Sequence, residues 1–177
     1  MELKGKTLGV IGFGRIGQET AKVALGVGMD VIASDFVNVP ASLTVNLSGG
    51  VSVEVPVKQV DTEGLIRTAD FISLHVPFLD KAVLGKEEFD LMKDGVGIVN
   101  ASRGGTIDEL ALLHALNTGK VSFAGLDVFE NEPTPRKELL AHPRVSLTPH
   151  IGAATNEAQE RIGEELANII ISYFKNN

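Results

Sequence analysis

No cysteine occurs among the 177 residues, which excludes disulfide bonds, thiol nucleophiles and thiolate metal sites. No apolar run approaches the roughly 20 residues that a membrane-spanning helix needs. The opening Met1-Glu2-Leu3-Lys4-Gly5-Lys6 is neither a signal peptide nor a transit peptide, and a cytoplasmic setting is the simplest expectation. Basic residues are outnumbered 16 to 23, for a formal net charge of −7. No Lys/Arg cluster interrupts that balance, so neither nucleic acid nor an anionic membrane is expected as a partner. No His, Asp and Glu cluster has metal-ligand spacing, so no metal is expected. Repeats, low-complexity tracts and linkers are absent too. What is present, 44% of it apolar, suffices for one domain with a substantial core.

The strongest positive signal lies at the start: Thr7-Leu8-Gly9-Val10-Ile11-Gly12-Phe13-Gly14-Arg15-Ile16-Gly17. A short apolar run opens into Gly-x-Gly-x-x-Gly, and Asp35 closes the next apolar run, Asp30–Ser34. This is the order of parts in a dinucleotide site. Gly12 allows the tight turn out of the strand, Gly14 allows a pyrophosphate close to the backbone, and Gly17 allows the following helix to approach the strand. That helix, expected over 15–27, offers amide groups and a positive dipole end to phosphates, with Arg15 as an added cation. Its apolar residues Ile16, Val23, Ala24 and Val27 share one face with Thr20. Asp35 is placed to accept bonds from the adenosine ribose hydroxyls. A carboxylate there repels a 2′-phosphate, and Phe36-Val37-Asn38 provides no Arg to receive one, so NAD is expected over NADP.

Apolar strand-like runs alternate with helical patterns along the whole chain, which predicts an α/β fold: a Rossmann-type doubly wound parallel sheet. Strands are expected at 7–11, 30–34, 71–75, 96–100, 123–128 and 145–148. Helices are expected near 15–27, 61–68, 86–93, 106–118, 136–141 and 156–174. Thr106-Ile107-Asp108-Glu109 reads as a capping box, Thr155 as an N-cap and Gly119 as a helix stop. The segment 39–57, with valines alternating with polar residues around Ser48-Gly49-Gly50, reads as a loop with a weak strand. On the last helix, Ile162, Leu166, Ile169, Ile170 and Tyr173 share one side, and most of them are expected to pack on the sheet.

Such a sheet binds its ligand at the carboxyl ends of its strands. The segments that follow strands are Gly12–Gly17, Asp35, His75-Val76-Pro77, Ala101-Ser102-Arg103-Gly104-Gly105, Asp127 through Pro133, and His150-Ile151-Gly152. Arg103, beside two glycines, is suited to grip a carboxylate with two parallel bonds. Pro133 biases Glu132 to an extended backbone, although Glu130, Glu132 and Glu138 are equivalent by composition. His150, between Pro149 and the small residues Gly152-Ala153-Ala154, has room for a substrate, and imidazole is the side chain suited to proton transfer near neutral pH. Of the other histidines, His114 and His142 read as structural and His75 as a border of the cofactor.

These residues carry a resemblance. Leu8–Gly17, His75-Val76-Pro77, Asn100–Glu109, Gly125–Pro133 and Thr148–Thr155 occur in the order found in the NAD-binding domain of the D-isomer-specific 2-hydroxyacid dehydrogenases, and resemble most the D-3-phosphoglycerate dehydrogenase branch. The resemblance covers nearly the whole chain. It implies a trio: Arg103 for the substrate carboxylate and keto group, Glu132 to orient the histidine, and His150 as acid/base. It implies that NAD lies against Gly12, Gly14, Arg15, Ile16, Gly17, Asp35, His75, Val76, Pro77, Ala101, Ser102, Arg103, Asp127, His150 and Gly152, with Asp127 near the nicotinamide carboxamide. It implies a 2-hydroxy or 2-keto acid substrate and a homodimer formed through this domain. The family builds its cleft with a second, substrate domain that is missing from 1–177. The expectation is therefore an isolated cofactor domain, its last helix (155–177) leading back to the absent half, with little or no turnover alone. The alternative within the resemblance is a non-catalytic NAD(H)-sensing module related to the family's corepressors.

Overall fold

The alternation of apolar runs and helical patterns builds one parallel sheet. A computed structural model of the chain describes residues 2–40, 42–78 and 80–176. Met1, in the opening segment, Ala41, in the 39–57 segment, and Asn177, at the end of the last helix, lie outside those residues. The strands are β1 (Thr7–Ile11), β2 (Asp30–Ser34), β3 (Ser42–Asn46), β4 (Ser52–Pro56), β5 (Lys58–Gln59), β6 (Phe71–Leu74), β7 (Val96–Asn100), β8 (Val121–Leu126) and β9 (Val145–Leu147). The helices are α1 (Arg15–Gly26), α2 (Thr62–Thr68), α3 (Lys86–Leu91), α4 (Glu109–Thr118), α5 (Lys137–Leu140) and α6 (Asn156–Asn176). Seven strands pair in the order β5-β2-β1-β6-β7-β8-β9, every pair parallel. The direction of winding reverses between β1 and β6, which opens a crevice at the strand ends there.

The sheet is covered unequally. On one face Ile72, Leu74, Ile98 and Ala124 meet Leu65 and Ile66 of α2, Phe89 of α3, Leu112 and Leu116 of α4 and Leu139 of α5. On the other, Leu8, Val10 and Ala33 meet Ala21 and Ala24 of α1, with Leu43 of β3 beside them. Beyond β6 this second face is open, and Val99 and Phe123 are 40% and 36% exposed.

Several expectations are corrected. Of the residues read as one face of the first helix, only Ala24 is buried. Ile16, Val23 and Val27 are exposed, and the stripe that meets the sheet is Gly17, Ala21 and Ala24. Close approach decides this: a Cβ at Gly17 would lie 2.2 Å from the Gly12 carbonyl oxygen, so only small residues fit beneath the helix. The helix read from Thr106 begins at Glu109. Its N-cap is Asp108, whose Oδ1 accepts from the Leu110 and Ala111 amides, while the Thr106 hydroxyl bonds to the Arg103 carbonyl. Within the 39–57 segment, β3 and β4 form an antiparallel hairpin, and β5 follows as an edge strand of the main sheet.

The last helix also departs from expectation. It does not pack on the sheet. From Asn156 to Lys175 every residue except Ala158 is exposed, Ile162, Leu166, Ile169, Ile170 and Tyr173 among them. Its start is held as predicted, Thr155 Oγ1 accepting from the Ala158 amide at 3.1 Å. Among the described residues, no helix is long and apolar enough to cross a membrane.

The unequal covering separates two kinds of apolar residue. Ile98→Ala, at a fully buried position, should cost about 2–5 kcal/mol in urea unfolding. Val23→Ser should stay within about 0.5 kcal/mol. A large loss for Val23→Ser would overturn the placement of α1.

Candidate functional site

The glycine loop between β1 and α1 has one open position between two closed ones. Gly12 sits at φ +89°, where a Cβ would meet the His75 carbonyl oxygen at 2.6 Å. At Gly17 a Cβ would strike Gly12, but at Gly14 it would meet nothing within 4 Å. Gly14 is the N-cap of α1; no side chain caps that terminus and no acid lies in its first turn. By contrast, α2 and α4 are capped by Asp61 and Asp108. The amides and dipole of α1 are thus left for an external anion at the one position where the backbone is open. Those residues fit a dinucleotide pyrophosphate.

Asp35 follows β2 directly. Its Oδ2 accepts from the Phe13 amide at 2.6 Å and its Oδ1 from Val37 at 3.3 Å, which ties the rim acid to the glycine loop. It shares a hollow with Ser34, Gln59, Val60, Asp61 and Thr62. A second hollow, about 260 Å³, is lined by Ile16, His75, Val76, Pro77, Ala101, Ser102 and Arg103. Residues from two separate strand ends, those of β6 and β7, and one helix therefore meet there. His75 is half-buried with its Nε2 2.9 Å from Ser73 Oγ; burial lowers its pKa and keeps the ring neutral at neutral pH.

Arg103 is exposed, and its Nη1 donates to the Ser102 carbonyl at 2.6 Å. No carboxylate among the described residues pairs with it. Its loop turns around Asn100, at the end of β7 and 3% exposed. The Asn100 amide nitrogen donates to the Arg103 carbonyl and to Thr106 Oγ1, and its oxygen accepts from the Ser102 amide and hydroxyl. Reading by residue type passed over Asn100. The available signal was an amide at the end of an apolar strand, where burial demands that every donor and acceptor be paired.

Glu132 and His150 meet. Glu132 Oε2 lies 2.7 Å from His150 Nδ1, and its Oε1 accepts from the Phe129 amide at 2.9 Å. Those two bonds, His150 first, hold the Glu132 carboxyl below its usual pKa. Glu130 and Glu138, its rivals by composition, make no bond to the histidine. His150 has φ +54°, a left-handed conformation costly for a residue with a Cβ. Asp127 holds that segment. Its Oδ1 accepts from Thr148 Oγ1 at 2.5 Å and the Ile151 amide at 2.8 Å, and its Oδ2 from the Gly152 amide at 2.8 Å. Burial alone would raise the Asp127 pKa; the bonds outweigh it and hold the carboxyl below its usual range. Glu132 and His150 border a largely apolar hollow of about 410 Å³, lined also by Phe129, Pro133, Pro135, Leu140, Leu147, Thr148 and Pro149. Arg103 lines one of these two hollows, and Glu132 and His150 line the other.

A parallel sheet of this order, with an open glycine loop, a rim acid and a carboxylate-bound histidine, defines the dinucleotide domain of a dehydrogenase. Residues 1–152 match the family model described as D-isomer specific 2-hydroxyacid dehydrogenase, NAD binding domain, and the chain belongs to that family, whose cofactor is NAD. It is 51% identical to hydroxypyruvate reductase of Thermotoga maritima over 174 residues, which cover 96% of this chain and 53% of that protein. It is 43% identical to D-3-phosphoglycerate dehydrogenase of Archaeoglobus fulgidus over 179 residues, 99% of this chain and 32% of that protein. A solved glyoxylate reductase from Paecilomyes thermophila matches with a TM-score of 0.85 and 39% identity, over 97% of this chain and 50% of that one. The chain spans about half the length of these relatives, or less.

Asp127 and Glu132 have depressed pKa values in the fold. Their contribution to stability is therefore complete above the ordinary carboxylate value, about pH 4, and is lost as pH falls through the lower folded values. Asp127→Asn should flatten the acid limb of stability against pH, read as urea midpoints between about pH 3 and 6. An unchanged slope would remove Asp127 from this role.

Proposed function

We propose that this chain is the cofactor half of an NAD-dependent oxidoreductase that interconverts a D-2-hydroxy acid and its 2-keto acid, and that a substrate half outside these residues completes the cleft. The Glu132–His150 bond of 2.7 Å carries the reading, because it leaves Nε2 as the proton-transferring atom. NAD bound along the strand ends supplies the hydride acceptor or donor. In oxidation His150 Nε2 takes the hydroxyl proton, and Glu132, kept ionised, stabilises the imidazolium through Nδ1. In reduction His150 returns the proton to the forming alkoxide. Arg103, steadied through Nη1, turns its other N–H groups to the substrate carboxylate and fixes the reacting carbon. Asp35 binds the adenosine ribose, and His75, Val76, Pro77, Ala101 and Ser102 line the nicotinamide side, with Asp127 near the carboxamide.

The finer assignment is the D-3-phosphoglycerate branch, on the motif blocks of the sequence. The relatives named for hydroxypyruvate and glyoxylate share with it the 2-keto carboxylate that a guanidinium grips. The reading includes a homodimer through this domain.

Cofactor binding is tested on the chain itself by NADH fluorescence titration. Asp35→Ala and Gly14→Val should each weaken NADH about tenfold or more, the loss of charged hydrogen bonds or of the phosphate seat. Gly14→Val should still fold, since a Cβ there enters open space and only the N-cap preference is lost. Unchanged affinity in both would end the assignment. With the substrate half of a relative joined on, His150→Ala should lower turnover of hydroxypyruvate or its phosphate about 10²–10⁴-fold while sparing NADH binding. NADH binding without turnover in the unaltered joined protein would instead favour a sensing module.

A further inference from the structure

The loops bearing Arg103 and Glu132 are fastened to each other by two carboxylates that the proposed chemistry does not use. Glu109, the first residue of α4, is 4% exposed. Its Oε1 accepts from the Glu130 amide at 2.8 Å, and Glu130 Oε1 accepts from the Glu109 amide at 3.0 Å. Each acid therefore holds the other's backbone. Arg136 lies across both, its Nε 3.6 Å from Glu109 Oε2 and its Nη2 3.5 Å from Glu130 Oε2. The backbones touch as well, since a Cβ at Gly104 would fall on the Phe129 carbonyl oxygen. Phe129 donates the amide that fixes Glu132 Oε1.

Helix formation does not require this arrangement. Asp108 already caps α4, and the Glu109 amide would be equally satisfied by water on an exposed helix start. Burying a carboxylate beside a second one is costly, and Glu109 Oε2 and Arg136 Nε are both buried without a hydrogen bond. What the arrangement achieves is registry: the segment just after Arg103 and the segment just before Glu132 cannot move independently.

We propose that Glu109 and Glu130, bridged by Arg136, act as positioning residues that set Glu132 against His150 and in fixed relation to the Arg103 loop. This rests on the roles given above to Glu132 and His150. Loss of either carboxylate frees a backbone amide on the opposite loop and leaves one cross-bond where there were two. Glu132 Oε1 then loses a fixed Phe129 amide, and His150 Nδ1 loses a fixed acceptor.

The readout is the tautomer of the neutral His150 ring, measured by long-range ¹H–¹⁵N NMR on the 177-residue chain. The unaltered chain should show the Nδ1–H form. Glu130→Ala should shift the tautomer ratio about tenfold toward Nε2–H. Glu130→Gln, whose amide oxygen still accepts from Glu109, should restore it. NADH affinity should stay within about twofold throughout, since Glu109, Glu130 and Arg136 are not among the proposed cofactor contacts. Should Glu130→Ala fail to fold, Arg136→Gln, at a partly exposed position, should shift the ratio in the same direction. An unchanged ratio in folded Glu130→Ala or Arg136→Gln overturns the clamp, even where NADH still binds. A ratio that responds as described in a chain that binds no NADH leaves the clamp standing and removes the dehydrogenase reading.

Discussion

The Asp127 carboxylate fastens together the part of the rim where proton chemistry would take place. Its amide donates to the Asn100 carbonyl at the end of β7, and its oxygens take Thr148, Ile151 and Gly152 beyond β9. Three adjacent strand ends are thereby joined at one buried charge. A buried carboxylate is tolerated only when its acceptors are filled, and here each oxygen is. The same bonds keep His150 in a backbone conformation that a free loop would leave.

The helix termini show how one fold keeps structural and binding needs apart. Asp61 and Asp108 close the starts of α2 and α4, so those amides are spent internally. The start of α1 has a glycine in their place. An aspartate there would satisfy the helix and repel the phosphates together. The cost of leaving that end open is offset by the close seating of α1, which its Gly17-Ala21-Ala24 stripe permits.

Much of this was legible in the residues, for physical reasons. Strands covered on both faces must be apolar throughout, so the main strands and the rim segments after them stand out. The roles of Gly12, Gly14 and Gly17 follow from the geometry of a tight turn. Hydrophobicity alone points to the wrong face of α1, because close approach there favours the small residues Gly17, Ala21 and Ala24. The β3–β4 hairpin was blurred because its valine alternation carries only Leu43 into the core. The true cap of α4 stood two residues beyond the box that Thr106 suggested. Asn100, Glu109 and Glu130 were invisible as site residues because their meaning lies in partners that only the folded loops bring near. The preference for Glu132 over Glu130 and Glu138 came from the family pattern; the bond to His150 supplies its physical ground.

The exposed α6 has a thermodynamic consequence. Its start is tied by Thr155 and by Gln159 to the Ala153 carbonyl, and its middle by a solvent-facing ion pair from Arg15 to Glu165 at 3.6 Å. Most helical stability in a protein comes from packing of an apolar face, which α6 leaves exposed, and a surface ion pair adds little. In this chain α6 therefore forms its own melting unit, fraying at denaturant concentrations that leave the sheet intact. Far-ultraviolet dichroism would register two events where a probe in the core registers one, and the cooperative transition would measure the strands and their covering helices alone.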